Sequence, residues 1–326
     1  MLVGLPTPKP TTPDELLPPR LAASLDRLDL LSRKILAGKL PGERRSKRRG
    51  RSVEFDDFRA YQPGDDPRHI DWNVLARLDR LVVKLFREEE DLSLSIAVDV
   101  SASMDAGQPN KLVYALQLAA SLAYLGLVNH NRVSVTTFGA PPGEAAPQGR
   151  RTLAPRRGRS ATRAVTTFLL EALRRSPGAT APAASFADSL RAIGAASTSR
   201  GVLVIISDFL EPDDPAPALS YLAPTQEAPR DTYCLQLLSP GELDPTRDQP
   251  LGLLGDLRLT DAETLRHQDV TITPQTIARF QAAFAAQRDA LRAACARRGL
   301  AYVLVPSDTP IESLLTATLR RSGMLR

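Results

Sequence analysis

The chain has 326 residues, of which 43% are hydrophobic and 24% charged, and its formal net charge is +5. This composition excludes a disordered or collagen-like chain and leaves enough apolar surface for one large domain or two ordinary ones. Three histidines (His69, His130 and His267) are too few for a His-rich metal centre, and two cysteines, Cys234 and Cys295, match no metal or redox spacing. The thiols fit a reducing compartment and look like small buried hydrophobes. No run approaches the roughly 20 apolar residues of a membrane span. The N-terminus lacks the basic-then-apolar layout of a secretory signal, so the expected location is the cytoplasm.

In chain order, residues 1–20 hold six prolines and read as a flexible lead-in. Over residues 21–40 the apolar positions Leu21, Leu25, Leu28, Leu31, Ile35 and Leu36 recur at helical spacing. Residues 39–51 carry seven basic side chains against one acid, Glu43, which predicts an exposed loop. Residues 53–90 are dense in charge, aromatic and turn residues, with a strand at 81–86. Together, residues 21–90 are expected to form a helix, a basic loop and a small β-containing collar against the next domain, with Trp72 largely buried.

From residue 91 the pattern becomes regular. Strand-type runs at 92–98, 132–138, 201–206, 231–238 and 300–306 alternate with helical stretches at 111–128, 163–174, 186–195, 280–298 and 311–320. Near-continuously apolar strands between helices predict an α/β domain over residues 91–326, doubly wound, with a mostly parallel sheet covered on both faces. Polar alternation near residues 257–272 predicts an inserted hairpin.

Ligands of open α/β sheets collect outside the carboxyl ends of the strands. The first core strand exits through Asp99, Ser101 and Ser103, a carboxylate and two hydroxyls at alternate positions. The apolar strand at 201–206 exits through Ser207 and Asp208, and a Gly-containing loop between them offers Thr180. All of these donors are oxygen, which suits a hard divalent cation, Mg2+ or otherwise Mn2+ or Ca2+. The alternative is that the same residues cap the helices that follow.

Asp99, Ser101, Ser103, Thr180 and Asp208 resemble the metal-ion-dependent adhesion site of von Willebrand factor A domains. That resemblance implies a doubly wound fold and a site at which the two serines and the threonine hold Mg2+, the aspartates acting partly through water. It also implies a client protein that offers a carboxylate to the metal. The preceding run narrows the match. Glu54, Phe55, Asp57, Arg59, Tyr61, Pro63-Gly64-Asp65-Asp66, Arg68 and Ile70-Asp71-Trp72, continuing to Lys84, Phe86 and Glu88, resemble the bacterial domain-of-unknown-function-58 family. Further matches lie at residues 261–264 and at Arg298-Gly299. Members often accompany MoxR-type AAA+ ATPases, which implies such a partner here.

Within that run, alternating Asp and Arg favour bidentate pairs that fix geometry. Arg59, Tyr61, Asp65, Arg68, Asp71 and Trp72 therefore form either a partner-docking surface or staples that hold the collar. A second basic cluster, residues 150–175, has eight arginines against Glu171 alone. No aromatic interleaving accompanies it, so nucleic acid is not the expected partner. No phosphate-binding Gly-Lys loop and no nucleophile elbow are present, and no small-molecule substrate is expected. The expectation is a non-enzymatic Mg2+-dependent interaction module, an adaptor or co-chaperone for a MoxR-type ATPase in complex assembly or metalloprotein maturation. The alternatives are a metal-dependent phosphoesterase and a nucleic-acid-binding protein using its arginine clusters.

Overall fold

A computed structural model describes residues 8–28, 53–88, 92–140, 149–174, 185–197, 200–210, 216–225, 229–246, 255–260 and 267–325. The chain divides into a small unit, Leu40–Asp91, and a large unit made of Met1–Lys39 and Leu92–Arg326.

The described chain opens with two short helices of the large unit, α1 (Pro13–Leu16) and α2 (Pro19–Leu25). Each begins on proline, which suits the first helical position because no N–H is needed there. Leu16, Leu17, Leu25 and Leu28 are buried in the main core. The expected flexible lead-in is therefore corrected for residues 8–20: Leu16 and Leu17 anchor it, and its prolines start helices. The helix expected over 21–40 begins at Pro19 and ends at Leu25, with Asp26 as its C-terminal cap. Residues 29–52, including the whole basic run, lie outside the described residues.

In the small unit, β1 (Val53–Ala60) pairs antiparallel with β2 (Val82–Glu88), and α3 (Trp72–Leu78) lies between them in sequence. Asp71 caps α3, accepting from the Asn73 and Val74 N–H groups, and pairs with Lys84 Nζ at 3.0 Å. Asp65 accepts from Arg59 at 2.8 Å and from the Gln62 N–H at 2.9 Å. These acids thus do local work, as caps and ion pairs within the unit. Trp72 is 61% exposed, which corrects the expectation of a buried indole. Two strands and a seven-residue helix make too thin a layer to enclose it, and Ile70 and Val83 are the buried apolar residues among those described.

The large unit is built on a six-stranded sheet. Its strands are β3 (Ser93–Asp99), β4 (Arg132–Phe138), β5 (Arg151–Arg156), β6 (Gly201–Ser207), β7 (Arg230–Leu238) and, after the separate antiparallel hairpin β8 (Gly255–Thr260) and β9 (His267–Ile272), β10 (Ala301–Pro306). The order is β10-β7-β6-β3-β4-β5, parallel except for β5. Successive side chains of a strand alternate between faces. Leu94, Ile96, Val98, Val204 and Ile206 join a core with α4 (Lys111–Val128) and α5 (Thr162–Arg174). Ala97, Leu203, Ile205 and Cys234 join the opposite core with α6 (Phe186–Ala196), α7 (Ala216–Leu219) and, beyond the short α8 (Pro240–Leu243), α9 (Pro274–Arg297). The sheet is therefore a mostly parallel one with helices on both faces. Contrary to the expectation that no run approaches a membrane span, helix α4 is long and apolar enough to cross one, yet 89% of it is buried inside this fold. Strand β5 was not expected, because arginines and Pro155 mask its pattern, and Thr273 caps α9 well before the residue 280 at which its helix was placed.

Candidate metal centre at the sheet edge

The chain leaves β3 toward β4 on one side and reaches β6 on the other. The carboxyl ends of β3 and β6 therefore flank the point where strand order reverses, which is where open α/β sheets leave a crevice.

Asp99 ends β3 and is 2% exposed. Its Oδ1 accepts the Ser101 N–H at 2.9 Å, and its Oδ2 accepts the Ser207 hydroxyl at 2.7 Å. Burial, reinforced by the charge of Asp208, pushes its pKa up to about 6. The hydroxyls of Ser101 and Ser103 bond each other at 3.1 Å. Gly139, just past β4, has φ +80°, and a Cβ there would lie 2.6 Å from Asp99 Oδ1. The turn can approach the carboxylate only because glycine lacks that atom.

On the β6 side, Ser207 Oγ accepts the Phe209 N–H and Asp208 Oδ1 accepts the Leu210 N–H. Gln236 donates to the Asp208 carbonyl at 2.8 Å and accepts from the Tyr302 hydroxyl at 2.6 Å. Phe209 holds φ +53°, a left-handed conformation rare for a bulky residue. Such strain persists only where its surroundings over-determine it, and Phe209 is locked edge-on against Phe186.

Asp208 Oδ2 accepts from Lys111 Nζ at 2.9 Å, and the same ammonium reaches Glu242 Oε1 at 2.6 Å. Asp99, Ser101, Ser103 and Asp208 thus gather at one edge of the sheet. Thr180 lies outside the described residues. Lys111 and Glu242 belong to this network and sequence reasoning missed them, and Ser207, named there only as part of the strand exit, belongs to it too. Glu242 carried a readable signal, since Ser239-x-x-Glu242 is a capping box, and the structure forms it. Among the described residues, no group of three or more His, Cys, Asp or Glu side chains is arranged to hold a metal, so any cation here relies on hydroxyls.

The other expected residues have surroundings of their own. Arg59, Asp65 and Asp71 are engaged within the small unit, Tyr61 is half-buried, and Arg68 and Trp72 are exposed. His69, His130 and His267 are exposed, and both cysteines are buried and free. In the arginine cluster, Arg151 pairs with Glu171 at 2.9 Å, and Arg159 bonds Asp26 and the Tyr124 hydroxyl. Part of that cluster therefore ties β5 to α5, and the turn before α5 to α2 and α4.

Residues 57–290 match the family model described as Protein of unknown function DUF58. Uncharacterized proteins of Mycobacterium bovis and Mycobacterium tuberculosis are each 32% identical over 274 residues, which is 83% of this chain and 80% of the relative. Among solved structures, the conserved hypothetical protein BatB from Bacteroides thetaiotaomicron aligns over 71% of this chain and 98% of its own at 15% identity, with a TM-score of 0.39. The pilus adhesin SpaC from Lactobacillus rhamnosus GG aligns over 73% of this chain and 31% of its own at 11% identity, also with a TM-score of 0.39. Neither structural likeness is close enough to carry an argument.

Proposed function

This chain belongs to the DUF58 family, and on that premise we propose that its large unit is a doubly wound, von Willebrand factor A-like domain acting as a non-enzymatic, Mg2+-dependent protein-interaction module. The observation that carries the reading is the meeting of Asp99 and Ser101 from β3 with Ser207 and Asp208 from β6 at the carboxyl edge, through the 2.7 Å Ser207–Asp99 bond.

The donor set fits a hard cation, being all oxygen with two carboxylates. Gly139 keeps the space beside Asp99 Oδ1 free of a side chain. Ser101 and Ser103, together with Thr180, would hold the ion, and Asp99 and Asp208 would balance its charge. When bound, the cation supplies a Lewis-acidic docking point for the carboxylate of a client protein. Two carboxylates among hydroxyls suit such docking better than hydrolysis, for which additional carboxylates or histidines would be needed to position water. A MoxR-type AAA+ ATPase is the proposed partner machine, with this chain as its adaptor or co-chaperone in complex assembly or metalloprotein maturation.

The test is a pull-down of the cognate ATPase and its client by the tagged full chain, with Mg2+ and with EDTA. Binding that survives EDTA undiminished would overturn the reading.

A further inference from the structure

Lys111 is the first residue of α4, and its side chain is fully buried. Burial disfavours an ammonium, and the positive end of the helix dipole at this position disfavours it again. Asp208 and Glu242 outweigh both effects, holding the Lys111 pKa above its ordinary value. Glu242 is itself fixed, its Oε2 accepting the Ser239 N–H at 2.7 Å and the Ser239 hydroxyl at 3.0 Å. One ammonium thus ties together the segments that follow β3, β6 and β7.

This placement has an electrostatic consequence at the proposed metal centre. Asp208 Oδ2 already faces a full positive charge, and its Oδ1 accepts the Leu210 N–H. A divalent cation arriving at Ser101 and Ser103 would find the charge of Asp99 available and that of Asp208 already matched. We propose that Lys111 is a resident counter-cation that competes with the divalent ion for Asp208 and holds the affinity of the centre low. This rests on the metal reading given above and adds an affinity-setting residue that is not a ligand. A buried lysine serving only as a strut would favour metal binding by keeping the edge in shape. A competitor opposes it, so the two roles differ in sign.

The probe is Mn2+, titrated calorimetrically into the full wild-type chain and the Lys111→Met variant, with thermal melts of both with and without the ion. Lys111→Met is expected to bind Mn2+ about tenfold tighter or more, because a unit charge close to a divalent ion in a partly buried site is worth at least that factor. Mn2+ should also raise its melting temperature by more than that of wild type. Glu242 is 27% exposed, and Glu242→Gln should act in the opposite direction, weakening Mn2+ binding as the Lys111 charge falls more fully on the centre. If wild type binds and Lys111→Met binds no tighter, the role of Lys111 falls while the metal reading stands. If neither protein responds to Mn2+, the metal reading falls and this inference falls with it. A Lys111→Met chain that melts early and is not restored by Mn2+ also overturns the proposal.

Discussion

Replacing Gly139 with alanine tests how tightly the turn after β4 holds Asp99. At φ +80° an L side chain is strained by about 1–2 kcal/mol. The new Cβ would stand 2.6 Å from Asp99 Oδ1, 3.2 Å from Ser101 Cβ and 3.3 Å from the Ser101 nitrogen, and the first of these distances is shorter than any real Cβ contact. Asp99 would have to turn away and lose the Ser101 N–H, a bond to a charged group worth about 1.5–3 kcal/mol. The two effects sum to about 2.5–5 kcal/mol, a large share of the ~5–15 kcal/mol typical of a folded protein. Gly158 supplies the control, since it has φ +76° and no atom within 4 Å of a built Cβ. Gly158→Ala should therefore bear the backbone strain alone. Urea unfolding of both variants beside wild type reads the difference. A Gly139→Ala chain within about 0.5 kcal/mol of Gly158→Ala would refute the claim that this turn fixes the carboxylate.

The carboxyl of Asp99 also makes stability depend on pH. Its folded-state pKa of about 6 lies above the ordinary 3.8, so its stabilising contribution is complete below about pH 4 and is lost as pH rises through about 6. Asp99→Asn should flatten that fall in EDTA-treated thermal melts, and parallel curves for the two chains would count against the buried-carboxylate account. Asp99→Ala and Asp208→Ala should each abolish Mg2+-dependent capture of the partner in pull-downs, and EDTA should add nothing to either variant; capture retained by both would sink the proposed function. Asp71→Ala should destabilise α3 by about 1 kcal/mol through loss of its cap, with little more from the part-exposed Lys84 pair. Asp71→Asn should recover most of that, as read by hydrogen exchange at Asn73 and Val74.

The parts of the fold that were legible are those where one physical signal dominates. Strand β6 is apolar almost end to end and β3 and β7 are largely so, because helices cover both faces of the sheet, so their pattern reveals them and their order along the chain. Strand β5 runs at the antiparallel edge with its side chains largely exposed, and arginines are tolerated there, which erased the signal. The positions of Asp99 and Asp208 at strand ends were legible for a related reason: Asp99 directly, and Asp208 after Ser207, follow an apolar run where the strand has to end. Trp72 misled because an aromatic among charges reads as a core anchor, whereas here it occupies the first position of a seven-residue helix and stays exposed. Lys111 was invisible, since a lysine at the start of an apolar helix looks like a solvated end residue. Its partners lie 97 and 131 residues further along the chain, and no local pattern links them.

The polar groups at this edge are already bonded to one another, and that closure bears on how the centre would take a ligand. Asp99 is satisfied by Ser101 and Ser207, Asp208 by Lys111 and Leu210, and the two serine hydroxyls by each other. An incoming cation therefore exchanges bonds, and its gain is the difference between new contacts and those given up, which is smaller than the sum of the new ones. The hydroxyl pair of Ser101 and Ser103 yields most readily, because it is a neutral bond between half-buried groups. The Lys111–Asp208 pair resists, because separating it would leave an unpaired charge in a buried setting. Under the proposed function, a client carboxylate brings a negative charge for which the cation has no rival once it sits at the serines. Client and cation should then bind with positive coupling, each raising the affinity for the other by the same factor.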